Sequence, residues 1–147
     1  MKYVWMLATL LIGALMPVQA ILNTKLGRQT GGPLMGAMMS FIIGLFCLFI
    51  LNLLINHQAV TQLKPGSTSP WWLWLGGLLG AVFVGYITWI NPKQGVALTF
   101  ALAVSGQIFA SMVIDHYGLL GVAVRTITLE KIAGALLILT GLFLIKK

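Results

Sequence analysis

Charge is scarce in this chain. Only 7% of its 147 residues are Asp, Glu, Lys or Arg, and just two of those are acids, Asp115 and Glu130. A water-soluble domain carries roughly a quarter charged residues, because its surface must face water. Nine Lys and Arg with two acids cannot coat a globule of this length. Cysteine is nearly missing too: Cys47 stands alone inside an apolar run, which excludes an intrachain disulfide and reads as a small core hydrophobe. The two histidines, His57 and His116, have no cluster of thiols or acids around them, so no metal site is expected. There is no Ser-His-acid order suited to nucleophilic attack and no Gly-rich loop to cradle a phosphate. Neither an enzyme nor a bound cofactor is expected.

What the chain has instead is apolar length. Hydrophobic residues make up 59% of it, and the mean hydropathy is +1.00. They fall into five long runs, at about 3–22, 33–55, 71–90, 95–114 and 129–145. Each is within or close to the ~17–25 residues that cross a ~30 Å hydrocarbon layer as a helix. The expectation is a single all-α membrane domain, 1–147, with five transmembrane helices.

Local signals place the boundaries. Gly32 precedes Pro33 and Ser69 precedes Pro70, each a capping residue ahead of a proline suited to the first helical turn. Thr128 is placed to cap the fifth helix, with Glu130 in its first turn. Asn91-Pro92-Lys93 reads as the turn of a tight hairpin between the third and fourth helices. The longest polar connection is 56–69, whereas the 115–127 connection is rather apolar. Trp71, Trp72, Trp74 and Trp89 sit near the ends of the third run and suit the headgroup level. Lys2, an apolar stretch and Val18-Gln19-Ala20 imitate a cleavable secretory signal, but Ile21 and Leu22 continue the run, so retention is expected.

The formal charge of +7 does not indicate a nucleic-acid binder, because the cations stand singly at the ends of apolar runs rather than along one face. Five crossings put Lys2, Lys64, Arg125 and Lys131 on the N-terminal side and Lys25, Arg28, Lys93, Lys146 and Lys147 on the other. Orientation follows the Lys and Arg bias, and here the sides are nearly balanced. Insertion both ways round, and pairing as an antiparallel (dual-topology) homodimer, is one expectation; a weakly fixed single orientation is the other. Such a dimer supplies the inverted symmetry that many transporters use for alternating access.

Polar side chains inside the runs carry the functional reading, because hydrocarbon cannot satisfy them. Gln19 and Asn23 lie one helical turn apart after Pro17, which is expected to kink the first helix near 13–17. Gln107, Ser111 and Asp115 form a second stripe at i, i+4 and i+8. With Ser40 these stripes either line one polar cavity or bond across helices. Asp115 and His116 are the only acid–imidazole neighbours. They read either as an interfacial pair with Arg125 or as a proton-coupling group. Ladders of small residues, Gly32, Gly36, Ser40 and Gly44, then Gly76 and Gly80, then Ala97, Ala101 and Ser105, predict close helix packing.

Taken in order, these residues resemble one known family. They are Pro17-Val18-Gln19-Ala20 with Asn23 and Leu26-Gly27, Pro33 with Ser40-Phe41 and Gly44, and Trp71-Trp72-Trp74 running into Gly76-Gly77 and Gly80. Pro92 with Gly95, Gly106-Gln107 with Ser111, and Asp115-His116 with Gly118 and Gly121 complete them. The pattern resembles the YdcZ-type family of the drug/metabolite transporter superfamily. The resemblance implies a multi-pass protein of the bacterial inner membrane that moves small metabolites or drug-like solutes. It departs from the small multidrug-resistance transporters, which place a glutamate in the first helix where this chain offers Gln19 and Asn23. A neutral or anionic solute suits such a cavity better than a cation. The expected solute contacts are Gln19, Asn23, Ser40, Gln107 and Ser111, with Asp115 and His116 as coupling groups and lipid and a second copy as partners. A small dimeric ion channel and a non-transporting membrane subunit are the alternatives.

Overall fold

The computed structural model describes residues 2–55 and 70–145, and every regular element among them is helical. The 56–69 connection, the Ser69 cap, Lys64, Lys146 and Lys147 lie outside the described residues. The chain forms two compact units, Met1–Lys93 and Gln94–Lys147.

In the first unit, α1 (Lys2–Gly13) and α2 (Leu15–Thr30) form one long apolar span interrupted at Ala14. The interruption lies where Pro17 predicts it. Pro17 has no N–H to give to the Gly13 carbonyl, and its ring crowds that carbonyl. The helix then runs beyond residue 22, where the apolar run ends, to Thr30. Polar residues from Asn23 onward continue it because no breaker intervenes before Gly31. There Gly31 takes a left-handed conformation (φ 106°), and the Gly32 N–H reaches back to the Gly27 carbonyl at 2.7 Å. These are the marks of a Schellman cap, which only a residue free of Cβ strain adopts readily.

Pro33 opens α3 (Pro33–Ile55), as expected of a proline at the first helical position. The third span begins with a 3₁₀ turn, Trp71–Trp74, that leads into α4 (Leu75–Gln94). Pro92 lies inside α4 rather than in a turn, and the chain leaves the helix only at Gly95, with φ 87°. The expected Asn91-Pro92-Lys93 turn is therefore displaced: a proline near a helix C-terminus costs one internal hydrogen bond without ending the helix, whereas the positive φ needs glycine.

In the second unit, α5 (Val96–Tyr117) ends at left-handed Gly118, and a short 3₁₀ turn, Leu119–Gly121, follows. Thr128 then caps α6 (Leu129–Ile145), its Oγ1 accepting the Lys131 N–H at 3.4 Å. Among the described residues four spans are long and apolar enough to cross a bilayer: Tyr3–Thr30, Pro33–Ile55, Trp71–Gln94 and Val96–Tyr117. The fifth helix, α6, has 17 residues, at the lower edge of the ~17–25 that crossing takes.

The distribution of polarity is inverted relative to a water-soluble fold. Among the described residues the buried apolar side chains are Ala20, Ala37, Ile87 and Ala135, while Asn23, Thr88, Asn91, Thr99 and Ser105 are buried polar ones. Large aliphatic and aromatic side chains instead cover the outside along every helix. Lipid is the solvent for that surface.

Candidate functional site

The Met1–Lys93 unit is built on one very close contact. Asn23 and Gly27 of α2 meet Gly36 of α3, and all three are buried, as are Ala20 and Ala37 on the same two helices. A methyl group added at Gly36 would come within 2.7 Å of the Gly27 nitrogen and closer still to the Asn23 carbonyl. One added at Gly27 would come within 2.6 Å of the Gly32 carbonyl. The backbones therefore touch where side chains normally intervene, as small residues permit in lipid. The other glycines of the small-residue ladders are not used this way. Gly44 and Gly76 have open space where a methyl would go, and Gly80 meets only the Phe41 ring, at 3.9 Å.

Beside this contact lies a groove of about 340 Å³, lined by Leu15, Val18, Gln19, Leu22, Asn23, Leu26, Ser40 and Ile43. The volume is at the small end of the roughly 300–1,000 Å³ of ligand sites. Five of its lining residues are aliphatic and three are neutral polar, which is the composition of a site for a small amphipathic molecule. Gln19, Asn23 and Ser40, singled out from the sequence, thus converge on one surface. They differ in exposure: Gln19 is exposed, Ser40 half-buried, and Asn23 only 3% exposed. The Asn23 Nδ2 is buried without a hydrogen-bond partner. An unmet buried donor costs about 1–3 kcal/mol, so such a group is held in place by its surroundings rather than by its own bonds.

A second polar cluster of the same unit joins α2 to α4. Pro92 cannot donate to the carbonyl four residues earlier, which belongs to Thr88. The Thr24 hydroxyl approaches that freed carbonyl at 3.3 Å while also lying 2.8 Å from the Ala20 carbonyl of its own helix. Thr88 is fully buried, its own hydroxyl returning to the Val84 carbonyl at 2.7 Å. Asn91, 4% exposed, has its Oδ1 buried without a partner. Sequence reasoning missed Thr24, Thr88 and Asn91 as a group. The signal was the spacing of Thr88 four residues before Pro92, which marks a carbonyl in need of a donor.

At the Lys93 end of α4 the Lys93 ammonium lies 3.3 Å from the centroid of the Trp89 ring, and Trp89 packs at 6.0 Å from Tyr86. Trp71, Trp74 and Trp89 remain largely exposed, as side chains at headgroup level are.

The remaining expected site residues are on α5 in the second unit. Gln107 is exposed, and Ser111 is exposed with its hydroxyl returned to the Ile108 carbonyl at 2.9 Å. Asp115 and His116 are half-buried where α5 ends, and the following segment folds back on them. The Arg125 N–H donates to the Asp115 main-chain carbonyl at 2.8 Å, and the Ile127 N–H donates to His116 Nδ1 at 3.3 Å. Asp115 and Arg125 are thus joined through their main chains. The Lys131 ammonium donates to the Thr126 carbonyl at 3.0 Å, so this fold-back is pinned at both ends.

Residues 4–144 match the family described as "Putative inner membrane exporter, YdcZ". The chain is also similar to the Inner membrane protein YdcZ of Escherichia coli (strain K12), with 25% identity over 130 residues that cover 88% of this chain and 86% of that one. No solved structure matches it.

Proposed function

The chain belongs to the YdcZ family of inner-membrane exporters, and on that premise we propose that it carries a small metabolite or drug-like solute across the membrane, with the α2–α3 groove as its solute site. The observation that supports this most is the convergence of Gln19, Asn23 and Ser40 on one small, mainly aliphatic groove within a membrane span. Hydrocarbon gives such side chains no partners, so their grouping favours a solute over chance. Gln107 and Ser111 are further solute contacts, and Asp115 with His116 is the coupling group. The working unit is a homodimer of antiparallel copies, for which the near balance of Lys and Arg on the two sides argues. Alternating access then follows from inverted symmetry, with α6 as a fifth crossing.

The test is transport by the purified chain in liposomes against a panel of small metabolites. With a transported solute in hand, Gln19→Ala and Gln107→Ala are each expected to slow initial uptake about fivefold, the loss of roughly one hydrogen bond, at unchanged protein abundance. Uptake and abundance falling together would assign these amides to packing instead.

A further inference from the structure

Among the described residues that line the groove, the one deeply buried polar side chain, Asn23, carries a donor without an acceptor, and none is ionisable. From this we infer that its solute is an uncharged molecule with an apolar body and a hydrogen-bond acceptor, such as a carbonyl or amide oxygen, that meets Asn23 Nδ2. This rests on the groove being the solute site.

Three observations carry it. Asn23 lines the groove at 3% exposure, and its Nδ2, closed off from the groove as the amide stands, has no partner, so a turn of the amide about its Cβ–Cγ bond offers this donor to an acceptor in the groove without breaking a bond that it makes. The remainder of the wall is Leu15, Val18, Leu22, Leu26 and Ile43, which favours an aliphatic or aromatic body, while Gln19 and Ser40 can serve a second polar atom. Among the described residues, none that lines the groove is ionisable. Lys25 and Arg28 are exposed on α2 and are not lining residues. A cation or anion seated there would lose its hydration without gaining a counter-charge.

The experiment uses the full chain in detergent micelles with Cys47→Ser and Leu22→Cys, Leu22 being an exposed part of the groove wall. Maleimide labelling of that single thiol is timed in the presence of 2-phenylacetamide, 2-phenylethylammonium or phenylacetate, which share one apolar body. The neutral amide is expected to protect at concentrations at least about tenfold below the two ions, given the penalty for an unpaired charge. Asn23→Leu is expected to weaken that protection roughly three- to tenfold, the effect of one lost hydrogen bond. Asn23→Asp is expected to turn the preference toward the ammonium. Protection by either ion equal to that by the amide would overturn the solute class and leave the groove as a binding site. Undiminished protection in Asn23→Leu would overturn the role of Asn23. Protection by none of the three would remove the groove itself as a solute site. Should the Asn23 variants not fold, the three probes on the native side chain decide between the classes alone.

Discussion

Gly36→Ala puts the α2–α3 contact to a direct test. The added methyl would lie 2.7 Å from the Gly27 nitrogen, and nearer still to the Asn23 carbonyl, against an ordinary separation of 3.4–4 Å. Both obstacles are backbone atoms, so no side-chain rotation relieves the clash, and the helices must part by several tenths of an ångström or more. Overpacking of this kind costs about 1–3 kcal/mol, and an unyielding neighbour puts this site at about 3 kcal/mol. Replacing glycine by alanine within a helix returns about 1 kcal/mol. The net loss is about 2 kcal/mol, roughly a thirtyfold fall in the folded-to-unfolded ratio. Gly44→Ala is the control, since nothing lies within 4 Å of its added methyl and only the gain in helix propensity remains. The assay is equilibrium unfolding of both variants in micelles, followed by helical circular dichroism. Equal stability of the two variants would refute the backbone contact. Because Asn23 lies on both the contact and the groove, Gly36→Ala is also expected to disturb solute binding while Gly44→Ala leaves it intact.

Other consequences are accessible to simpler assays. Reporters fused to the C-terminus should be active on both sides of the membrane; a signal on one side alone would remove the antiparallel dimer. Asp115→Asn should abolish any pH dependence of uptake, and an unchanged pH profile would end the coupling role of this carboxylate. Thr24→Val should lower stability by about 0.6 kcal/mol, the average for a polar contact within a membrane protein. Pairing it with Pro92→Ala, which restores a backbone donor to the Thr88 carbonyl, should recover most of that loss; additive effects would mean that Thr24 acts elsewhere.

The sequence was most readable where a single physical rule dominates. Apolar length located the spans, because hydrocarbon accepts little else, and Pro17 marked the break at Ala14 through its missing donor. Pro33 took the first helical position and Thr128 the cap, as their chemistry suits. Errors arose where two rules competed. Polarity after Leu22 suggested an end to the first helix, but helix termination is decided by Gly31 and Gly32, not by hydropathy. Asn91-Pro92 looked like a turn, yet the turn fell to Gly95. In the site, periodicity put Gln19 and Asn23 on one face, and the groove joins them to Ser40. Which rungs of a glycine ladder would touch was not legible: Gly36 and Gly44 belong to one ladder of four-residue spacing, and the crossing point of the helices decides between them. The partnership of Thr24 with Thr88 likewise spans sixty-four positions, beyond the reach of any local pattern.

That partnership and the glycine contact fasten α2 to its two neighbours in unlike ways. On the α4 side the fastening is one long hydrogen bond, and the Thr24 hydroxyl keeps an alternative acceptor in its own helix at Ala20. On the α3 side it is main chain against main chain, with no side chain available to yield. A shear imposed on residues 1–93 is therefore absorbed along the α2–α4 seam first, while α2 and α3 travel as a pair and carry the walls of the groove with them unchanged.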